Sequence, residues 1–362
     1  MTTDRRETRQ SGVRQWLKDH DLDALLITHL PNIRYLTGFT GSAGLLVVRP
    51  TESVMITDFR YAVQAPREVG PAAAVIIEQS SVWQRLRRHI DGYQTLGFES
   101  AVLSVRAAQQ LGEGMSTRLV PTHDVVERLR ATKDPEEVAA IREAAGLALE
   151  ALAAVLPSVA VGDGEREIAG RLESELRRRG SEWHPFPTIV ASGARSALPH
   201  AGTSERTIER GDLLLVDFGA QVDGYCADVT RTFVVGAAAD DRQRAIYDLV
   251  RSAQARAIEG LSAGKTGRDV DALARELIAA RGFGDAFGHS LGHGLGLEVH
   301  EGPRLGPRED GVLPIGAVVT VEPGVYLPGW GGVRIEDDVH VGSGGAERLS
   351  GEGEPSELMT LG

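Results

Sequence analysis

Residues 213–235 read LLLVDFGAQVDGYCADVTRTFVV, two apolar runs on either side of a polar centre at Val222, Asp223 and Gly224. Their alternation predicts an antiparallel hairpin turning at that centre. The hairpin brings Asp217 and Asp228 together. With Val222-Asp223 as the turn the two lie directly opposite, and with Asp223-Gly224 they become diagonal neighbours on the same face. The intermediate register would send them to opposite faces. Carboxylates sharing a face between flanks as apolar as LLLVDF and ADVTRTF repel each other and lose hydration, so a positive group must compensate. A metal ion would do this. So would turn amides for Asp217 and a pair with Arg231 for Asp228, and two aspartates alone do not decide.

Further charged groups recur downstream in apolar, glycine-bordered strand contexts: His293 in GHGLGLEVHE, Glu322 in VEPG and Glu336 in RIEDD. Four carboxylates and one imidazole form an oxygen-rich set without thiolates, which suits two divalent ions such as Mn²⁺, Co²⁺ or Zn²⁺. Cys226 shares the face of Asp228 by even spacing, but a lone thiol there reads as core. It is the single cysteine, so no intrachain disulfide is possible and a reducing compartment fits.

Working outward, 362 residues exceed one ordinary domain, so two are expected. A texture change near residue 130 puts the boundary there, giving domains 1–130 and 131–362. Asp134 reads as an N-cap with Pro135 at the first helical position, opening a long helix, and helices follow at 165–179, 240–260 and 267–281. The first part reads as α/β: helical spacing from Ser11 to Leu26, then strands in ALLITH, GLLVVRP, 53–57 and 73–78, with helices at 81–90 and 105–111. Acidic residues outnumber basic ones by 51 to 39, a net charge of −12, which disfavours nucleic acid as a partner. Charges interrupt the N-terminus and no long apolar run follows, so a cytoplasmic protein without membrane association is expected.

The strings ASGARSALPHAG (191–202), VDFGAQVDGYCADVTRTF (216–233), GHSLGHGLGLEVHEGP (288–303), TVEPGVY (320–326) and GGVRIEDD (331–338) occur in this order. Together they closely resemble the pita-bread metallopeptidases, specifically the Xaa-Pro aminopeptidases and Xaa-Pro dipeptidases (prolidases). NIRYLTGFTGSAGLLVV (32–48) and KDPEEVAAIREAA (133–145) are similar to that family's creatinase-type N-terminal domain and linker helix. The resemblance implies an α/β creatinase-type N-terminal domain followed by an α+β pita-bread catalytic domain. It implies that Asp217 chelates one metal, that Asp228 and Glu336 bridge two, and that His293 and Glu322 complete the set, with manganese the first expectation and cobalt or zinc the others. The full ligand set sets the chain apart from the metal-free creatinase branch and from non-catalytic histone-chaperone relatives. A homodimer, formed through residues 1–130, is also implied.

The same resemblance implies attack on the Xaa-Pro bond by a metal-bridging hydroxide, with Glu322 shuttling a proton to the departing proline nitrogen. His300 would bond the developing oxyanion, and His200 and His289 would line the proline side. Arg334, two residues before Glu336, would steer a ligand or substrate carboxylate, the plain alternative being an ion pair with Asp337 or Asp338. Phe186, Tyr225 and Trp330 read as packing residues. His184-Pro185-Phe186-Pro187 departs from relatives and stiffens a loop that approaches the substrate. Because no extra basic loop interrupts the second domain, the first expectation is an Xaa-Pro aminopeptidase acting on proline-containing peptides. The alternatives are a strict Xaa-Pro dipeptidase and a non-catalytic binding protein that keeps the fold.

Overall fold

The structure is a computed structural model, which describes residues 4–351 and 357–362. Chain contacts divide it into two compact units, Met1–Arg130 and Ala131–Gly362. None of the described helices is long and apolar enough to cross a membrane.

The first unit is built on a six-stranded sheet of β1 (Ala24–Ile27), β2 (Leu45–Val48), β3 (Ser53–Asp58), β4 (Ala74–Glu78), β5 (Thr95–Glu99) and β6 (Arg118–Thr122), in the order β4-β3-β2-β1-β5-β6. The β1–β5, β3–β4 and β5–β6 pairs are parallel, which requires crossovers and gives the α/β character. The first helix, α1 (Arg5–Asp19), starts earlier than Ser11 because the Asp4 side chain caps it by accepting from the Arg6 N–H. It also ends at Asp19 rather than running to Leu26, because the chain turns at Asp21, whose φ is positive, and Ala24–Ile27 enter the sheet as β1.

The second unit stacks two helix pairs on two sheets, antiparallel throughout except for one parallel edge pair. Helices α2 (Pro135–Val155) and α3 (Glu165–Arg179) cover a sheet of β7 (Ile189–Ser192), β8 (Leu213–Phe218) and β11 (Val229–Val235), closed at its edge by β19 (Thr360–Leu361), which runs parallel to β11. Their shared core takes Ala144, Leu152, Ile168 and Leu172 from the helices and Leu214, Val216, Phe218, Val229 and Val235 from the strands. Helices α4 (Asp241–Gly260) and α5 (Gly267–Ala280) likewise cover a second sheet through Ile246, Val250, Val270 and Ala274 against Val319, Val321, Val339 and Val341. That sheet runs in the order β13 (Glu301–Leu305), β12 (Gly292–Gly294), β14 (Val318–Val321), β17 (Asp337–Gly342), β18 (Gly345–Arg348). Because strand side chains alternate, each sheet that buries one face under helices has a second face left for polar residues. Asp217, Thr230 and Thr320 lie at those alternate positions.

Asp134 accepts from the amides of Glu136 and Glu137 and makes a full capping box, as its position before Pro135 predicts. Short strands β9 (Gln221–Val222) and β10 (Tyr225–Cys226) extend the central hairpin, with Val222 opposite Tyr225. The turn is therefore Asp223-Gly224. Both residues have positive φ, 47° and 76°, the geometry of the tight hairpin turn that Asp-Gly favours. Asp217 pairs with Thr230 in this register, which makes Asp228 its diagonal neighbour on the same face.

Candidate active site

An isolated bridge between Thr230 and Glu336 brings the first sheet against the segment linking β16 (Gly331–Arg334) to β17, and the polar residues of both sheets meet around it. β16 itself forms a hairpin with β15 (Gly324–Leu327). Asp217, Asp228, His200, His289, His293, His300, Glu322, Arg334 and Glu336 all line one cavity of about 710 Å³. Residues scattered over 137 positions of sequence, from His200 to Glu336, thus converge.

Asp228, His293 and Glu336 each bring one ligand atom within 4.8 Å of the others. Glu322 joins them through its Oε1, 3.5 Å from His293 Nε2, while Asp228 Oδ2 lies 3.6 Å from the same nitrogen. His293 Nδ1 lies 3.1 Å from the Gly294 carbonyl and donates to it, so Nε2 carries the lone pair and faces two carboxylates. Burial pushes the His293 pKa down to about 4, so its ring is neutral. Burial and then the charges of Glu336 and Asp217 hold Asp228 well above the ordinary carboxylate range, burial and Glu322 do the same to Glu336, and burial pushes Glu322 up to about 8. Among the described residues, Oδ1 of Asp217 and Oδ1 of Asp228 are buried without a hydrogen-bond partner. Crowded carboxylates, a lone pair aimed among them and unpartnered acceptors fit divalent cations.

Around this cluster a second set of contacts fixes each group. The Thr320 hydroxyl accepts from the His293 N–H (3.0 Å) and donates to Glu322 (3.1 Å). Thr230 donates to Glu336 at 2.5 Å and accepts from Arg334 Nε. The Asp228 N–H donates to buried Asp338, and Arg231 pairs with Asp337 at 2.7 Å and with the Glu336 carbonyl. Arg231 is thus not the partner of Asp228. Gly292 precedes His293 because a Cβ there would stand 2.0 Å from the Thr320 carbonyl oxygen.

Arg334 pairs with Asp217 rather than with Asp337 or Asp338, and donates to the Tyr326 hydroxyl at 2.9 Å. Tyr326 can then give its own proton to His289 Nε2, 3.0 Å away, while His289 Nδ1–H donates to the Ser290 carbonyl. Both nitrogens of His289 are committed, so it offers the cavity its ring rather than a hydrogen bond. Burial pushes its pKa down to about 4. His200 and His300 are exposed to the cavity, and the His300 ring stands edge-on to His293 at 4.3 Å.

Of the aromatic residues set aside from sequence, Phe186 lines the cavity beside Pro187, whereas the Tyr225 hydroxyl donates to Glu137 and Trp330 packs on the second helical core. Cys226 is buried, and burial pushes its thiol up to about 12. The sequence reading missed Thr230, Thr320 and Tyr326. Each Thr sits two residues from a candidate ligand, the spacing that shares a strand face, and that was the available signal.

Metallopeptidase family M24 matches residues 139–343, and the Creatinase/Prolidase N-terminal domain family matches residues 9–132. The chain belongs to metallopeptidase family M24. A curated relative named Xaa-Pro dipeptidase from Pyrococcus horikoshii is 35% identical over 338 residues, covering 93% of this chain and 95% of its own. A solved Xaa-Pro dipeptidase from Bacillus anthracis matches with a TM-score of 0.94 at 40% identity, covering 98% of this chain and all of that one (100%). An X-Pro aminopeptidase from Thermotoga maritima matches at 0.90 and 35%, covering 97% and 99%. The M24 protein is a metallo-exopeptidase of the pita-bread fold with a creatinase-type N-terminal domain.

Proposed function

We propose that the protein is a dinuclear Xaa-Pro dipeptidase. The observation that carries this reading is Arg304, an exposed guanidinium on the cavity wall with no carboxylate at ion-pair distance among the described residues. Its charge is felt by both His300 and His293, whose proton affinity it lowers after burial has done so. An uncommitted cation beside the catalytic groups suits the C-terminal carboxylate of a dipeptide; a longer peptide presents a neutral amide there. The sequence reading placed the aminopeptidase first because no inserted basic loop was visible. Arg304 needs no insertion, since β13 supplies it directly after the EGP of the histidine motif. Two of the three similar proteins above bear the dipeptidase name, which supports the same order.

Asp217, Asp228, His293, Glu322 and Glu336 would hold two divalent ions, manganese first, with cobalt or zinc as alternatives. Such ions supply Lewis-acid polarisation of the scissile carbonyl and a more acidic water at neutral pH. A proline amide carries no N–H, so recognition falls on its carbonyl oxygen and its ring. The His289 ring, Phe186 and Pro187 give the ring an apolar surface, and His200 contacts the same side. His300 donates its N–H to the oxygen that gains charge. Glu322, anchored by Thr320, takes the proton of the attacking water and hands it to the leaving nitrogen. The reading is tested by comparing kcat/KM for Ala-Pro, Ala-Pro amide and Ala-Pro-Ala: a dipeptidase prefers the first by at least about tenfold, and equal or better cleavage of the tripeptide contradicts it.

A further inference from the structure

Glu165 is the first residue of α3, fully buried at 0% exposure, and it does not line the cavity. Its Oε1 accepts from the N–H (2.8 Å) and the hydroxyl (2.9 Å) of Ser192. Its Oε2 accepts from the N–H (3.0 Å) and the hydroxyl (2.6 Å) of Ser204. Arg195 Nε approaches both oxygens, at 3.3 and 3.2 Å. Ser192 ends β7 and Ser204 lies just past Thr203, so one carboxylate grips both ends of the loop that carries His200. Each oxygen holds one end.

The first half of the loop is also pinned by buried Ser196, whose hydroxyl accepts from the Gly332 N–H at 2.8 Å and donates to the Gly193 carbonyl at 2.7 Å. The loop's own backbone bonds, Leu198 N–H to Arg195 and Ala201 N–H to Leu198, close local turns only. Arg195 reaches across to the Gly202 carbonyl, and Arg334 donates to the Pro199 carbonyl at 3.1 Å. Pro199, His200, Gly202 and Thr203 form one wall of the cavity. The four donors outweigh the cost of burial, so Glu165 stays ionised, with its pKa below the usual range.

We propose that Glu165 is a positioning residue for His200: by clamping Ser192 and Ser204 it sets where the loop holds the histidine against the substrate. The proposal rests on the reading of His200 as a substrate contact. Glu165→Gln keeps the shape but turns an amide toward donors at one end, and Ser204→Ala removes the hydroxyl that donates to Glu165 and accepts from the Arg206 N–H, leaving the Ser204 N–H bond in place, so it carries the test should the first variant fold poorly. Full-length variants are to be compared by deuterium exchange over residues 193–203, by metal content, and by kinetics on Ala-Pro, alone and combined with His200→Ala.

The expected result is exchange of the loop amides faster by about tenfold with β8 unchanged, bound metal unchanged, and KM raised about tenfold with kcat within about threefold. In the His200→Ala background, Glu165→Gln should add less than about twofold. Unchanged loop exchange in both variants, or the same KM rise with and without His200, overturns the proposal. Should the unmodified protein leave Ala-Pro intact, the functional reading falls while loop exchange still decides the clamp.

Discussion

His293 turns its Nε2 toward the Oδ2 of Asp228 at 3.6 Å while its Nδ1 engages the Gly294 carbonyl. A neutral imidazole lone pair facing a buried carboxylate is repulsive, and a cation between them reverses the sign. Asp228→Ala should therefore cost both metal retention and turnover. Metal analysis after gel filtration, beside kinetics, checks this; an active variant that holds no metal would remove the metal centre from the account. Added divalent metal should raise the melting temperature of the stripped protein and leave that of the variant nearly unchanged.

His300 is exposed to the cavity and contributes no atom to the cluster of Asp228, His293 and Glu336. His300→Ala should keep the metal content and lower kcat by roughly 10²–10³, the range for removing one donor to a developing oxyanion. A variant that loses metal in parallel would make His300 a support for His293 instead.

Arg304 has its charge available to the substrate. Arg304→Met should raise KM for Ala-Pro by about tenfold or more and leave Ala-Pro amide almost unaffected. The preference for the free carboxylate collapses in that variant. Equal losses on both substrates would assign Arg304 to the cavity wall only.

The sequence made the candidate site legible further than the fold around it. The alternation of residues 213–235 put Asp217 and Asp228 on one face, and the structure selects the diagonal register because Asp223-Gly224 tolerates the positive φ of the turn. The capping box at Asp134 and the limits of α3 were readable from local chemistry alone. Strands β5 and β6 were not, because TLGFE and RLVPT lie in parallel pairs, one broken by glycine and the other by proline, and lack alternation. Arg304 went unread for a different reason: a lone arginine on an exposed strand gives no periodic signal until its cavity is seen.

Histidine 289 gives a pH signature. Burial lowers its folded-state pKa from an ordinary value near 6.5 to about 4, so between those values the unfolded chain binds the extra proton. Its contribution is complete above about pH 6.5 and is lost as pH falls toward 4. Melting temperatures of the native protein should drop more between pH 7 and pH 4.5 than those of His289→Gln; parallel curves would show that the ring titrates normally.

Hydrolysis of Ala-Pro by metal-stripped protein, with and without added Mn²⁺, Co²⁺ or Zn²⁺ and beside Ala-Pro-Ala, decides between a metal-dependent dipeptidase and its rivals. A dinuclear dipeptidase shows no turnover when stripped, recovery with divalent metal, and faster release from the dipeptide. Faster cleavage of the tripeptide would make the protein an Xaa-Pro aminopeptidase, and inertness toward both with metal bound would contradict a proline-specific peptidase altogether.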